Sequence, residues 1–358
     1  MSGKPFYRLI YVLCLAFLVM FVSISGCSKK DDADSRAETS DKTLNIVALE
    51  EIRSSGLLKS IIPAFESEHG CKVVLDTVSD SDELLELIRD EKELRKFDLV
   101  LGLSNCLLLS EEDLEQFSPT AVLKNRPISK NLLWDSKQRV IPYGFGYLGL
   151  LYNEQLITEP PQSFGELQDS RFQNQLVICS PISTKEGRAV LLWSVAMFGN
   201  DGFRQFWQSI KKNVHSVSDS YRTALDLMQT GQCGLTIGFS TTPAWLKENN
   251  PDAPPLRVSL LQEGSFLYLE SAAIPDKAGN KQLAGDFLSF LLTSESQKHV
   301  AFELGLMPVN ESTPLPESYL TAPVTAHIAN NRLADENLSE GIENWLEFFG
   351  KLFSRNLY

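Results

Sequence analysis

Between Leu44 and Leu103, short apolar runs alternate with amphipathic stretches, and this alternation restricts the possible fold more than any other feature of the chain. LNIVAL (44–49) is a short apolar run, as expected of a buried parallel strand. Leu57, Leu58, Ile61, Ile62 and Phe65 then recur at helical spacing, with Gly70 as the stop. Lys72 to Leu75 reads as the next strand. Ser79 or Ser81 is placed to cap a helix carrying Leu84, Leu85, Leu87 and Ile88, and FDLVLGL (97–103) is again a buried strand. Repeated strand–helix steps of this kind predict a doubly wound α/β lobe.

The pattern restarts downstream. Gly146–Tyr152, Leu176–Cys179, Val214–Val217 and Gly234–Phe239 read as strands. Gly187–Phe198, Asp201–Lys212 and Tyr221–Gln229 read as helices between them. After a strand at Phe266–Ile274 the chain is helical through Gly305, and the tail from Glu340 is helical too. Two α/β lobes follow: the first from residues 43–140 plus 265–358, the second from 141–264. No internal repeat is present.

Residues 1–26 read as a leader rather than a domain. Lys4 and Arg8 precede an apolar run, Leu9–Val22, which is too short to span a bilayer comfortably but suits a signal-peptide core. The run ends in Ile24-Ser25-Gly26-Cys27, which looks like a bacterial lipobox with Cys27 as the lipidated residue. Residues 27–42 then form a polar tether without a large apolar side chain. The expectation is an exported lipoprotein, anchored by its lipid to a bacterial membrane and facing the periplasm or the cell exterior.

The formal charge of −13 becomes −15 once Lys4 and Arg8 leave with the leader, which argues against a nucleic-acid partner. Four widely separated histidines and no CxxC give no short-range metal or redox motif, so neither metal nor cofactor is expected. No GxSxG elbow occurs, and an enzyme is not expected. Cys71, Cys106, Cys179 and Cys233 remain after Cys27; their spacing leaves disulfides and buried thiols both open.

Ligands of open α/β sheets bind beyond the carboxyl ends of strands. That rule nominates Val78–Asp82, Gly102–Asn105, Pro142–Tyr147, Ser180–Gly187, Ser218–Tyr221 and Phe239–Trp245. These segments carry hydroxyls at helix starts, suited to a polar group, and aromatics suited to a flat or cationic one. Serines and threonines there ordinarily serve as caps and the aromatics as core, so the convergence of several on one edge is what points to a site.

The stretches FDLVLGLSNCLL (97–108), IPYGFGYLGLLYN (141–153), EPPQSFGEL (159–167), EGRAVLLW (186–193), FSTTPAW (239–245), EGSFLYLESAA (263–273), MPVN (307–310) and IENWLEFF (342–349) occur in order. Together they resemble the thiamine-binding periplasmic proteins of bacterial ABC importers, among the extracellular solute-binding proteins. The resemblance covers about Leu44 to Arg355. It implies a two-lobed periplasmic-binding-protein fold, type II-like, whose ligand cleft lies between lobes joined by crossing strands. It implies a monomer that hands thiamine, a thiamine phosphate or a related small cation to an ABC permease driven by its ATPase. Ligand contacts carried over by motif are Asp80, Ser81, Thr184, Lys185, Tyr221, Phe239, Ser240, Thr241, Thr242 and Trp245. The chain departs from the family pattern at Leu49-Glu50, Gly144 and Leu306-Met307, where an aromatic and a carboxylate are missing. Alternatives are a polyamine, with Asp80, Glu263 and Trp245 as contacts, and ferric iron, which the lack of a Tyr-Tyr pair disfavours.

Overall fold

The computed structural model describes residues 42–124, 127–252, 254–335 and 338–354; the leader, Cys27 and the tether up to residue 41 lie outside the described residues. Strand β1 (Thr43–Leu49) runs into helix α1 (Glu50–Ser55), and Gly56, at φ 100°, turns the chain into α2 (Leu57–His69). Gly70 stops α2 as expected, in the left-handed region that a glycine enters without Cβ strain. Next come β2 (Lys72–Val78), α3 (Ser81–Arg89), α4 (Glu91–Leu94), β3 (Leu99–Ser104) and α5 (Glu111–Leu114). The cap of α3 is Asp80, not Ser79 or Ser81. Its Oδ1 accepts from the N–H of Asp82 and of Glu83, and its full charge suits a helix N-terminus better than a hydroxyl does.

The second run comprises β4 (Val140–Asn153), β5 (Leu176–Cys179), α6 (Lys185–Ser209), β6 (Val214–Ser218), α7 (Tyr221–Gln229), β7 (Leu235–Phe239), α8 (Thr242–Asn249) and β8 (Leu256–Ser259). Gly199, at φ 68°, ψ 178°, leaves helical geometry and divides α6 into the two helices expected on either side of it. The chain closes with β9 (Leu267–Ala273), α9 (Lys281–Leu291), α10 (Ser294–Leu304), β10 (Met307–Pro308), α11 (Glu317–Leu320) and α12 (Leu338–Phe353).

The strand order is β2-β1-β3-β9-β4-β7-β5-β6, with β8 and β10 also on β4. β1 is parallel to β2 and β3, and β5 is parallel to β6 and β7, as doubly wound lobes require. In the middle the sheet turns antiparallel. β4 pairs with β9 over Val140–Tyr147 and with β7 over Leu148–Tyr152, so one 14-residue strand serves both halves. Gly146 is its expected start, yet the ladder begins at Val140. Pro142 and Gly144 fall where the register shifts, and there a residue without an N–H is tolerated. The segment Pro142–Tyr147 is therefore strand, not a ligand loop.

The tail does not stay with the first-lobe elements. Trp207 of α6 meets Phe349 of α12 edge to face at 5.2 Å, and Trp345 Nε1 donates to Asn200 Oδ1 at 2.7 Å. Trp345, Phe349 and Phe353 recur every four residues, a ridge that α6 buries.

Candidate functional site

Five strand-to-helix turns open onto one cavity of about 390 Å³. They are the ends of β1, β2, β5, β6 and β7, each followed by a helix whose first turn faces the space, as open α/β sheets dictate. Lining it are Asp80, Ser81, Thr184, Lys185, Tyr221, Phe239, Thr242 and Trp245. Ser240 and Thr241 stand apart from the lining. Ser240 is buried with its N–H on Tyr147 O at 2.7 Å, and Thr241 Oγ1 donates to Gly305 O at 2.5 Å, tying the start of α8 to the end of α10.

The aromatic wall is held rigidly. Tyr221 Oη and Thr242 Oγ1 are hydrogen-bonded at 2.6 Å, and the Tyr221 ring meets Phe239 edge-on at 6.2 Å. A side chain at position 238 would overlap that phenol, so Gly238 makes the room for it. Trp245 Nε1 donates to Phe302 O at 2.9 Å and its ring lies over Gly305, where a Cβ would come within 3.2 Å of it. Thr184 acts as the α6 cap: its Oγ1 accepts from Gly187 N at 3.0 Å and donates to Ser180 O at 2.8 Å. Gly187 in turn leaves no space for a Cβ against the Cys179–Ser180 backbone.

The floor is a charge cluster. Lys185 Nζ lies 3.2 Å from Glu51 Oε1 and 3.3 Å from Glu270 Oε2, and Tyr268 Oη donates to the same Glu270 oxygen at 2.6 Å. Burial works against the Lys185 ammonium, but the carboxylates of Glu51, Glu270 and Glu186 outweigh it and hold its pKa above the ordinary lysine value. Burial pushes the Glu186 carboxyl up to about 7, with Lys185 pulling the other way. Glu270, fully buried, is raised by burial as well, again against Lys185. Beside the cluster, Arg188 of α6 grips Asp82 of α3.

Glu51, Glu186, Glu270 and Arg188 are the site residues that the motifs missed. The visible signal was a Lys-Glu pair opening a helix directly after the buried strand LVIC, inside the nominated segment 180–187. Two nominated segments are misplaced. Asn105, Phe145 and Tyr147 face a second, wider cavity of about 1010 Å³ together with Trp134, and Tyr143 is in the core. Glu263 is also elsewhere, with its Oε1 accepting from Phe164 N at 3.0 Å, so it adds no carboxylate to the cleft. The four described cysteines are unpaired thiols. Among the described residues no group of side chains is arranged to hold a metal ion.

Two α/β halves sharing a strand, with a polar and aromatic cleft at the strand ends, define a two-lobed solute-binding protein of the periplasmic type. The chain belongs to the bacterial extracellular solute-binding protein family, whose pattern matches residues 108–328. It is 28% identical over 265 residues to the thiamine-binding periplasmic protein of Escherichia coli strain K12, covering 73% of this chain and 79% of that one. A solved periplasmic thiamin binding protein superposes with a TM-score of 0.70 at 23% identity, covering 87% of this chain and 96% of the other. The ferric binding protein from Campylobacter jejuni shares the fold as closely, with a TM-score of 0.71 at 17% identity over 86% of this chain and 99% of the other.

Proposed function

We propose that this chain is the substrate-binding lipoprotein of an ABC importer, capturing thiamine in the cleft and delivering it to a membrane permease without chemical change. The observation that carries this reading is the make-up of the cavity. Five carboxylates (Glu51, Asp80, Glu186, Asp219, Glu303) line it against Lys185, Arg188 and Arg222, with Glu270 buried beneath Lys185, and Tyr221 and Trp245 stand at its wall. A flat, permanently cationic molecule satisfies both features: its charge meets the carboxylate excess and its rings meet the aromatics. The relative from Escherichia coli, named as thiamine-binding, supports the same ligand.

In this reading Tyr221 and Trp245 contact the rings, Phe239 backs them, and Ser81, Thr184 and Thr242 offer hydroxyls. Asp80 keeps Oδ2 outside the helix cap and receives the ligand's amino group. The carboxylate excess also suits a polyamine, which is the second reading. Residues 1–26 serve export and Cys27 carries the lipid; Cys27→Ala is expected to give a folded, ligand-competent protein lost from the membrane fraction, and its retention there would refute the anchor.

Isothermal titration of the protein as matured by the cell tests the ligand. Thiamine is expected to bind with a Kd of about 1 μM or below. No heat with thiamine, but saturable heat with spermidine or putrescine, would replace the first reading by the second.

A further inference from the structure

A phosphate seated on an α/β protein ordinarily sits on free N–H groups at a helix start. Here capping oxygens already take part of that set, the N–H groups of Asp82, Glu83, Gly187 and Thr223. Asp80 Oδ1 accepts from Asp82 N and Glu83 N, both at 3.0 Å, at α3. Thr184 Oγ1 closes α6, and Ser220 Oγ accepts from Thr223 N at 3.1 Å to close α7. α8 opens with Thr242-Pro243, and a proline has no N–H to offer.

The buried cations are used as well. Lys185 sits between Glu51 and Glu270. Arg188 gives both terminal nitrogens to Asp82 and its Nε to Pro181 O at 3.2 Å. Arg222, at the rim, is largely exposed, where attraction is screened by solvent and salt.

Glu186 is the opposite case. It lines the cavity in the first turn of α6, is only 5% exposed, and receives no hydrogen bond or ion pair from any other described residue. An ionised carboxylate so placed is costly to keep without a partner, and the open side of its carboxyl is the cavity. We propose, resting on the thiamine reading above, that Glu186 is the seat of the ligand's positive charge and that the cleft selects the unphosphorylated cation over its phosphate esters. A phosphate monoester brings about −1.5 to −2 charges, and a pyrophosphate roughly one more. In this cleft that charge meets Glu51, Glu186, Asp80, Asp219 and Glu303, while Lys185 and Arg188 are already paired with carboxylates.

The test is titration of the matured protein at pH 8 with thiamine, thiamine monophosphate and thiamine pyrophosphate, in the wild type and in Glu186→Gln. Thiamine is expected to bind at least about tenfold more tightly than either ester, a ratio that needs no variant to read. Glu186→Gln is expected to weaken thiamine about tenfold and to shrink the preference over the esters, with the melting temperature held or raised. Esters binding as tightly as thiamine, or a Gln variant with unchanged affinity and preference, would overturn the inference while leaving the thiamine reading intact. If none of the three binds, the thiamine reading falls, and putrescine, spermidine and choline are titrated instead. Binding of one of these that Glu186→Gln abolishes upholds the charge seat; cation binding indifferent to the variant, or no cation binding at all, overturns it.

Discussion

Arg188 holds Asp82 through a two-pronged contact, Nη1 to Oδ1 at 3.0 Å and Nη2 to Oδ2 at 3.3 Å. The two residues come from opposite halves of the molecule: α6 follows β5 of one parallel set, and α3 follows β2 of the other. The Arg188 side chain is 7% exposed and that of Asp82 57%, so one partner is committed while the other stands in water. The contact therefore ties the two halves together across the cleft.

Loss of this latch is expected to act on release rather than capture. Asp82→Asn keeps the shape and removes the charge, for a cost of about 1 kcal/mol given the exposure of Asp82. The ligand off-rate should rise about fivefold with the on-rate within about twofold, read by stopped-flow tryptophan fluorescence. An unchanged off-rate would show that the pair contributes nothing to closure.

Glu186 gives the unliganded protein a distinctive response to pH. The carboxyl titrates near 4.5 when the chain is unfolded and near 7 when folded, because burial disfavours its charge. Between these values the native state keeps a proton that the unfolded state has lost, so stability falls as pH rises from about 4.5 to about 7. A shift of this size is worth about 3 kcal/mol. Lys185, Glu51, Glu270, Arg188, Tyr221, Cys179 and Cys106 face the same region, and Glu270 adds a contribution of the same sign. Glu111, lowered to about 2 by Arg139 and Lys137, acts in the opposite direction and only below about 4.5. Urea midpoints at pH 5 and pH 7.5 should therefore differ in the wild type and differ by less in Glu186→Gln. A variant with the wild-type difference would assign the slope to Glu270 or another group.

Much of this architecture was legible because apolar runs and helix stops are local. Leu57–Phe65 with Gly70, and Tyr221–Gln229, mark α2 and α7 closely. What was not legible was the middle of the sheet. Pro142 and Gly144 look like loop residues in isolation, and only the partners of β4 make them strand. The site shows the same division. Tyr221, Thr242 and Trp245 are visible as aromatic and hydroxyl residues at strand ends. The floor joins Glu51, Lys185, Glu186 and Glu270 from three separate stretches of chain, and a charge in sequence reads first as solvated surface.

Asp80 has two duties that different substitutions separate. Asp80→Ala removes the α3 cap as well as the acceptor, so it should cost about 1 kcal/mol of stability and weaken thiamine more than about fivefold. Asp80→Asn keeps both a capping oxygen and an acceptor, and should leave the melting temperature unchanged and affinity within about threefold. A large affinity loss in Asp80→Asn would mean that the ligand reads the charge here and not the hydrogen bond. Calorimetric titration beside thermal melting gives both quantities.

Gly238 tests whether the aromatic wall must be held still. The residue lies on β7 directly behind Tyr221, and a Cβ there would overlap the phenol oxygen and come within 2.7 Å of Cζ. The strand cannot yield, since β7 is paired with β4 and β5 on its two sides. The ring must therefore swing into the cavity and give up its 2.6 Å bond to Thr242. Gly238→Ala is expected to cost about 1–3 kcal/mol of stability from overpacking, and to weaken thiamine more than about tenfold because the ring now occupies ligand space. Trp245→Ala, which deletes the other aromatic, should weaken binding by about 1–3 kcal/mol without that steric block. The double variant Gly238→Ala with Tyr221→Ala separates the two causes, because removing the ring removes the clash. Partial recovery of affinity over Gly238→Ala alone would assign the loss to the displaced ring, whereas no recovery would mean that thiamine depends on the Tyr221 ring itself.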